Sequence, residues 1–174
     1  IYTLSLHDAL PIWSAIASRS EAATRCLGRV LGMALLPGVT VLLAGDLGAG
    51  KTAFVKGVGD ALGVDGVRSP SFTLINEYRT ERFLLAHADL YRLDPEGVDE
   101  LGLEEYAGAG DAVLMVEWPE RWRFPPGTEV LNVALGVRGE EERVFEVRSV
   151  GERADEAADA LLAGAKDCPG VELL

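Results

Sequence analysis

Cysteine and lysine are scarce in this sequence, and no long apolar run is present. Cys26 and Cys168 are the only cysteines in 174 residues, and no C-x-x-C pair or Cys/His cluster accompanies them, which argues against a zinc site. We expect two reduced, structurally minor thiols in a cytoplasmic protein. No apolar stretch approaches the roughly 20 residues that a membrane-spanning helix requires, so we expect no membrane association.

Acidic residues outnumber basic ones. Lys and Arg total 16 and Asp and Glu total 28, which gives a net charge of −12. This charge argues against unaided nucleic-acid binding as the main activity. With 48% apolar and 25% charged residues, the composition is that of a soluble globular protein, and the length favours one domain with a sizeable core.

The beginning of the chain differs in character from the rest. Residues 1–17 lack an initiating Met, and their opening resembles translated sequencing-adapter read-through. We therefore expect a non-native or disordered leader and exclude it from functional reasoning, His7 and Asp8 included. The predicted domain covers residues 18–165, and residues 166–174 are predicted to form a loose tail.

One segment carries the strongest functional signal. Residues 45–52 read G-D-L-G-A-G-K-T, which fits the phosphate-loop pattern G-x-x-x-x-G-K-[ST]. The preceding residues 39–44 are continuously apolar and β-branched, as in a strand buried on both faces. Apolar residues then recur at helical spacing up to Gly63, a plausible helix stop. A strand, a glycine-rich loop and a helix in this order form the setting that a phosphate loop needs.

The pattern assigns a role to each residue of the loop. Backbone N–H groups would cradle a nucleotide's phosphates, Lys51 would reach the β- and γ-phosphate oxygens, and the Thr52 hydroxyl would bind Mg²⁺. The predicted nucleotide-binding residues are Asp46, Leu47, Gly48, Ala49, Gly50, Lys51 and Thr52.

The remaining chain alternates between strand and helix patterns. A capping-box spacing at Ser18 and Glu21 precedes a first amphipathic helix. Further strands are predicted at residues 74–78, 83–88, 112–116, 129–137 and 143–150, and further helices at 98–106 and 152–162. These elements predict an α/β fold of the P-loop NTPase type, with three layers and a mixed, partly parallel central sheet between flanking helices.

Two carboxylates fall at the predicted carboxyl ends of strands, where ligands bind in open α/β sheets. Glu117 follows an apolar strand, as in a Walker-B segment, and Asp89 follows another strand more loosely. Either residue could hold Mg²⁺ through its water shell while the other orients the attacking water.

Several neighbouring side chains could have either a functional or a structural role. The hydroxyls at Ser69, Ser71 and Thr73 could sense a γ-phosphate, or they could belong to an ordinary Ser-Pro turn. His87 is expected to be a hydrogen-bonded structural side chain, and Arg92 could contact phosphate or a nearby acid. The aromatic residues expected to pack in the core or at an interface are Tyr91, Trp118 and Trp122.

These motifs together resemble the TsaE family, also called the YjeE family. The matching segments follow the family's order and are residues 45–52, 69–74 (S-P-S-F-T-L), 87–93 (H-A-D-L-Y-R-L), 101–106 (L-G-L-E-E-Y) and 117–121 (E-W-P-E-R). The likeness extends from about residue 18 to about residue 150. Ser71 stands where the family often has Thr, which keeps a hydroxyl.

The resemblance implies a P-loop ATPase of bacterial tRNA threonylcarbamoyladenosine biosynthesis, located in the cytoplasm. It implies binding of ATP and Mg²⁺, slow hydrolysis by the protein alone, and action with the TsaB–TsaD heterodimer, through which tRNA would be reached. By position, the catalytic residues would be Lys51, Asp89 and Glu117, and the metal-binding residues would be Thr52, Asp89 and Glu117. Ser71 and Thr73 would join the nucleotide site.

Three other functions fit the phosphate loop. A small-molecule kinase would use the same loop but needs an acceptor pocket and a lid, and no insertion is obviously long enough for one. A guanine-specific GTPase commonly carries Asn-Lys-x-Asp, and neither asparagine, Asn76 or Asn132, precedes a lysine. A nucleotide-gated binding module would use turnover only to time assembly with a partner.

Overall fold

The computed structural model describes residues 14–174. The strands of the described part are β1 (Ser14–Ser18), β2 (Val39–Ala44), β3 (Ile75–Arg79), β4 (Leu84–Asp89), β5 (Ala112–Glu117), β6 (Glu129–Val137), β7 (Arg143–Val150) and β8 (Val171–Leu173). The helices are α1 (Glu21–Ala34), α2 (Lys51–Ala61), α3 (Pro95–Asp99), α4 (Leu103–Gly108) and α5 (Glu152–Ala165), with a 3₁₀ turn at Pro119–Arg121.

All eight strands belong to one mixed sheet in the order β3-β4-β5-β2-β6-β7-β1-β8. The four central strands β4, β5, β2 and β6 are parallel to one another. The outer pairs β3–β4, β6–β7, β7–β1 and β1–β8 are antiparallel. The predicted mixed, partly parallel sheet is therefore confirmed, and its parallel strands end at one common edge.

Helices cover both faces of this sheet, which confirms the three-layer α/β fold. Buried side chains of α1, α2 and α5 pack on one face, and those of α3 and α4 pack on the other. The parallel strands contribute alternate side chains to the two layers: Val41 of β2 lies in the first and Leu42 in the second. This double burial explains why β2 reads as a continuous apolar run.

Helices α1 and α2 approach closely because glycines line their contact. A Cβ built on Gly28 would lie 2.1 Å from the carbonyl oxygen of Phe54 and 2.9 Å from Cα of Gly57. A Cβ on Gly57 would in turn lie 2.1 Å from the carbonyl oxygen of Arg25. Both positions therefore require glycine, and the close contact fixes where α2 begins relative to the sheet.

Two predictions about the chain ends are wrong for the part that the structure describes. Residues 14–17, assigned to the leader, form β1, which pairs with β7 and β8; residues 1–13 of that leader lie outside the described residues. The tail 166–174 is not loose, because it contains β8 and Cys168. Each error arose because strand pairing with a distant segment supplies the order, and short segments carry no periodicity of their own.

The prediction of two reduced thiols is also wrong. Cys26 of α1 and Cys168 form a disulfide with a Cα–Cα distance of 5.8 Å, although 142 residues separate them in sequence. Helices α1 and α5 lie on the same face of the sheet, so the turn after α5 brings Cys168 to α1. The separation along the chain had concealed this proximity.

Local corrections concern two helices. Helix α1 is capped by Ser20, whose hydroxyl accepts a hydrogen bond from the Ala23 N–H at 3.0 Å, and not by Ser18, which belongs to β1. The helix predicted at 98–106 is divided into α3 and α4, because Gly102 adopts φ 62° between them. Among residues 14–174, no helix is both long and apolar enough to traverse a bilayer.

Candidate functional site

A cavity of about 450 Å³ opens at the edge where the parallel strands end. Its walls come from the phosphate loop, the start of α2, the segment before β3, and the residues that follow β4 and β5. The lining includes Gly48, Gly50, Lys51, Thr52, Ser69, Ser71, Asp89, Tyr91, Arg92, Glu117 and Trp118. A second cavity of about 480 Å³ lies beside β3 and is lined by Arg68, Thr73 and Tyr106 among others. Of these two cavities, only the first is lined by residues of the phosphate loop.

The backbone of the loop has the conformation that its glycines permit. Gly45, Gly48 and Gly50 have φ values of 142°, 79° and 102°, a region that residues with a Cβ rarely adopt,. At Gly45 a Cβ would also lie 2.5 Å from the carbonyl oxygen of Leu135 in β6. The loop's path is therefore fixed both by its own torsion angles and by the neighbouring strand.

Lys51 crosses this loop from the first turn of α2. Its ammonium donates to the carbonyl oxygens of Gly45 at 2.6 Å and Asp46 at 2.9 Å, and only 5% of the residue is exposed. Burial lowers the pKa of Lys51 from its ordinary value, and the carboxylates of Glu117 and Asp89 oppose that shift. The ammonium thus stands at the cavity wall with few water contacts, where an anion would interact with it strongly.

Asp89 is the last residue of β4, and its carboxylate is held on both oxygens. Oδ2 accepts from the Ser71 hydroxyl at 3.1 Å and from Ser69 at 3.5 Å, while Oδ1 accepts from the backbone N–H of Tyr91 at 3.0 Å. The hydroxyls of Ser69 and Ser71 are themselves 2.7 Å apart. The segment before β3 is therefore linked directly to a carboxylate of the cavity.

Glu117 ends β5 and lies opposite Asp89 in the register of the parallel pair. Its Oε1 is 2.9 Å from Nε2 of His87, a side chain with no exposed surface. Because a carboxylate only accepts hydrogen bonds, Nε2–H of His87 is the donor in its contact with the Glu117 carboxylate. Among the described residues, Nδ1 of His87 has no hydrogen-bond partner. The expected structural histidine is thus the side chain that orients Glu117.

Two of the aromatic side chains expected in the core or at an interface line the cavity. Trp118 has φ 59°, unusual for a residue with a Cβ, and its ring lies 4.7 Å from the Lys51 ammonium and 4.8 Å from the Tyr91 ring. Tyr91 is 43% exposed, whereas Trp122 is buried as expected. Tyr91 and Trp118 lie close in sequence to Asp89 and Glu117, and this proximity could have predicted their place at the cavity.

Not every predicted site residue lies here. The predicted site residues that line this cavity are Leu47, Gly48, Gly50, Lys51, Thr52, Ser71, Asp89 and Glu117. The predicted loop residues Asp46 and Ala49 do not line it, and Ala49 is buried. The Thr73 hydroxyl donates to the Asn76 side chain, and Thr73 lines the second cavity. Arg92 does line the first cavity, and its guanidinium also lies against the ring of Phe72, 4.7 Å from the ring centroid. Sequence reasoning missed Arg143 of β7, which donates to the loop carbonyl of Ala49 at 3.1 Å. No local pattern marks this arginine.

The oxygen atoms of the cavity fit a hard divalent cation. The Thr52 hydroxyl and the carboxylates of Asp89 and Glu117 are oxygen ligands of the kind that Mg²⁺ binds together with water and phosphate oxygens,. Within residues 14–174 there is no group of three or more His, Cys, Asp or Glu side chains placed to bind a metal by themselves.

Known proteins resemble this chain in sequence and in fold. Residues 18–145 match the family model for threonylcarbamoyl adenosine biosynthesis protein TsaE. A tRNA threonylcarbamoyladenosine biosynthesis protein TsaE from Nostoc is 43% identical over 131 residues, covering 73% of this chain and 80% of that protein. The protein of the same name from Bacillus subtilis is 37% identical over 139 residues, covering 79% and 87%.

A solved structure agrees with these sequence matches. The crystal structure of YdiB from Bacillus subtilis superimposes with a TM-score of 0.72 at 30% identity, covering 86% of this chain and 93% of that one. The family match takes in the phosphate loop, both carboxylates and the strands that carry them. The chain therefore belongs to the TsaE family, whose members take part in tRNA threonylcarbamoyladenosine biosynthesis.

Proposed function

We propose that this protein is a P-loop ATPase that binds and slowly hydrolyses ATP, and that it acts with TsaB and TsaD homologues to support repeated turnover in tRNA threonylcarbamoyladenosine formation. The observation that carries the proposal is one cavity that combines the phosphate loop, the buried Lys51 ammonium and two carboxylates in register on adjacent strands. A cytoplasmic location and access to tRNA through the partner complex belong to the same proposal.

The phosphate loop and Lys51 would bind the triphosphate. The N-terminus of α2 begins at Lys51, so its unpaired N–H groups and dipole favour an anion at that point,. The ammonium, already within the loop, would neutralise charge on the β- and γ-phosphate oxygens. Its partial desolvation strengthens this attraction relative to an exposed lysine,.

The two carboxylates would divide the remaining work. Thr52 and Asp89 are the proposed residues for Mg²⁺, and Glu117, which lines the same cavity, could bind the ion through its water shell,. When bound, Mg²⁺ would stabilise negative charge on the phosphate oxygens. Glu117, oriented by His87, would accept a hydrogen bond from the water that attacks the γ-phosphorus. The products would be ADP and inorganic phosphate.

Substitutions at Lys51 test the binding half of the proposal. Lys51→Ala should abolish tight Mg-ATP binding, because it removes the buried cation that faces the phosphates. Lys166→Ala is the matched control, since this lysine lies exposed after α5. Calorimetric titration with Mg-ATP measures both. An unchanged affinity in Lys51→Ala would contradict the assigned phosphate site.

Substitution at Glu117 tests the catalytic half. Glu117→Gln should retain ATP but lose turnover, because the uncharged amide oxygen is a weaker hydrogen-bond acceptor than a carboxylate and cannot take up a proton from the attacking water. Glu120→Gln, at a neighbouring exposed carboxylate, is the control. Phosphate release should be measured with and without TsaB–TsaD, and modified tRNA in parallel. Wild-type hydrolysis by Glu117→Gln would remove it from the mechanism, and a phosphorylated metabolite in place of free phosphate would favour a kinase.

A further inference from the structure

The phosphate loop has a hydrogen-bond donor that lies outside its sequence motif. Arg143 is the first residue of β7, almost a hundred positions beyond the loop. Its Nε donates to the carbonyl oxygen of Ala49 at 3.1 Å, and its Nη2 lies 3.4 Å from that of Gly48. A Cβ at Gly50 would lie 4.0 Å from Cγ of Arg143, so the arginine's stem also passes beside the loop.

The same guanidinium is anchored at its other end. Its Nη1 donates to the carbonyl oxygens of Gly139 at 3.1 Å, Glu140 at 3.2 Å and Glu142 at 3.0 Å. These residues form the turn that joins β6 to β7. One planar cation therefore bridges two backbone segments, which suits the rigid donor fork of arginine and not the single ammonium of lysine.

The direction of these bonds matters for anion binding. In a trans peptide the N–H points away from the C=O of the same unit, and the described residues contain no cis peptide bond. Because the Ala49 carbonyl faces Arg143, the N–H of Gly50 points to the opposite side, and Gly50 lines the cavity. Holding the carbonyl on one side thus orients an amide for a ligand on the other.

Lys51 and Arg143 hold different parts of the loop. Lys51 occupies the carbonyls of Gly45 and Asp46 from within the motif. Arg143 contacts the loop's later carbonyls from behind. A bound polyphosphate would compete with these carbonyls for the Lys51 ammonium. Arg143 contacts the loop from the side away from the cavity, so it can keep its hydrogen bonds when a ligand is bound.

We propose that Arg143 is a positioning residue that orients the phosphate loop of this site for a nucleotide diphosphate or triphosphate. This inference rests on the proposed nucleotide binding, although its structural half concerns the loop alone. Arg143 would then determine nucleotide affinity although it lies outside the phosphate-loop pattern.

The experiment compares the full chain with Arg143→Ala, Arg143→Lys and Arg138→Ala. Arg138 is a control from the same turn, since its exposed side chain only approaches Glu142 at 3.8 Å. Mg-ADP affinity is measured by calorimetry, and backbone hydrogen exchange is measured without nucleotide at residues 45–52 and 129–137. We expect Arg143→Ala to weaken Mg-ADP binding about tenfold, equivalent to about 1.4 kcal/mol.

The exchange data separate a positioning role from a merely structural one. Arg143→Ala should speed exchange at residues 45–52 and leave 129–137 at the wild-type rate, with Arg143→Lys intermediate and Arg138→Ala unchanged. Unchanged Mg-ADP affinity in Arg143→Ala, or equal loss of protection in both segments, would overturn the inference. If the wild-type protein failed to bind Mg-ADP, the proposed function would fail, and exchange at residues 45–52 alone would decide the role of Arg143.

Discussion

The close contact between α1 and α2 makes Gly28 a sensitive test of how the site is supported. A methyl group at this position would lie 2.1 Å from the carbonyl oxygen of Phe54. Ordinary contact begins near 3.4 Å, so the two groups must separate by roughly 1.3 Å. The obstacle is backbone, which cannot rotate away as a side chain can. The two helices must therefore move apart as units.

The size of the effect follows from two opposing contributions. Overpacking in a well-packed interior costs about 1–3 kcal/mol, and a rigid backbone contact belongs at the upper end of that range. Alanine returns at most about 1 kcal/mol through its higher helix propensity. We expect Gly28→Ala to lower the free energy of unfolding by about 2 kcal/mol, which corresponds to a fall in Tm of about 4–8 °C for a domain of this size.

A matched substitution isolates the steric contribution. Gly108 ends helix α4, and a Cβ there would meet no atom within 4 Å. Gly108→Ala should therefore leave stability unchanged or raise it by less than about 1 kcal/mol. Urea unfolding of both variants measures the difference. Equal stabilities would refute the argument that backbone contact at Gly28 controls the packing.

The same perturbation should reach the cavity. Helix α2 begins with Lys51, so displacing the helix displaces the ammonium and the Thr52 hydroxyl relative to the strands. We expect Gly28→Ala to weaken Mg-ATP binding as well. Because Gly57 lies across the same contact, Gly57→Ala should destabilise similarly, and the double variant should lose less than the sum of the two.

Three further predictions concern individual interactions. His87→Gln should retain hydrolysis because its amide can donate to Glu117 from near the position of Nε2. His87→Asn should lower kcat about tenfold or more, since a hydrogen bond to a charged group contributes about 1.5–3 kcal/mol. Steady-state kinetics measures both variants, and equal rates would contradict this prediction. Cys26→Ser should destabilise the protein by up to about 5 kcal/mol, the chain-entropy ceiling for so long a loop, and thiol titration of the denatured, unreduced wild type should detect no free thiol. The hydrogen bond from Arg25 holds the pKa of Asp60 below its ordinary value of 3.8. The ionised Asp60 therefore stabilises the folded protein above that pH, and this stabilisation is lost as the pH falls. Urea unfolding at several pH values should show that Asp60→Asn abolishes this small acid-dependent loss of stability.

Short-range patterns were sufficient to predict the centre of the site. The loop at residues 45–52 is recognised by its glycine spacing and one lysine, and its flanking strand and helix have distinct periodicities. The acids Asp89 and Glu117 were predicted because an apolar run followed by a carboxylate is visible within a few residues. These features depend on local sequence, and the structure places Lys51, Thr52 and both acids around one cavity.

Long-range contacts account for what the sequence did not reveal. The pairing of Cys26 with Cys168 and the addition of the short β8 to the sheet depend on how α1, α5 and β1 meet in space. Arg143 is similar, because its function as a donor to the loop exists only once β7 lies beside β6. An isolated arginine or cysteine in a single sequence carries no record of its distant partner.

The register of β4 and β5 decides whether both carboxylates lie on the same face of the sheet. Asp89 and Glu117 are register partners, and the odd-numbered residues before them, Leu85 and Met115, pack on the face covered by α2. Because side chains alternate along a strand, a shift of one residue in either strand would turn its acid to the opposite face, among the apolar side chains around α3 and α4,. The phosphate loop would remain intact in such a variant, but it would face no paired carboxylate. An inserted residue in β4 should therefore preserve much of the nucleotide affinity supplied by the loop while eliminating hydrolysis, and loss of both together would mean that the loop's own geometry depends on the same register.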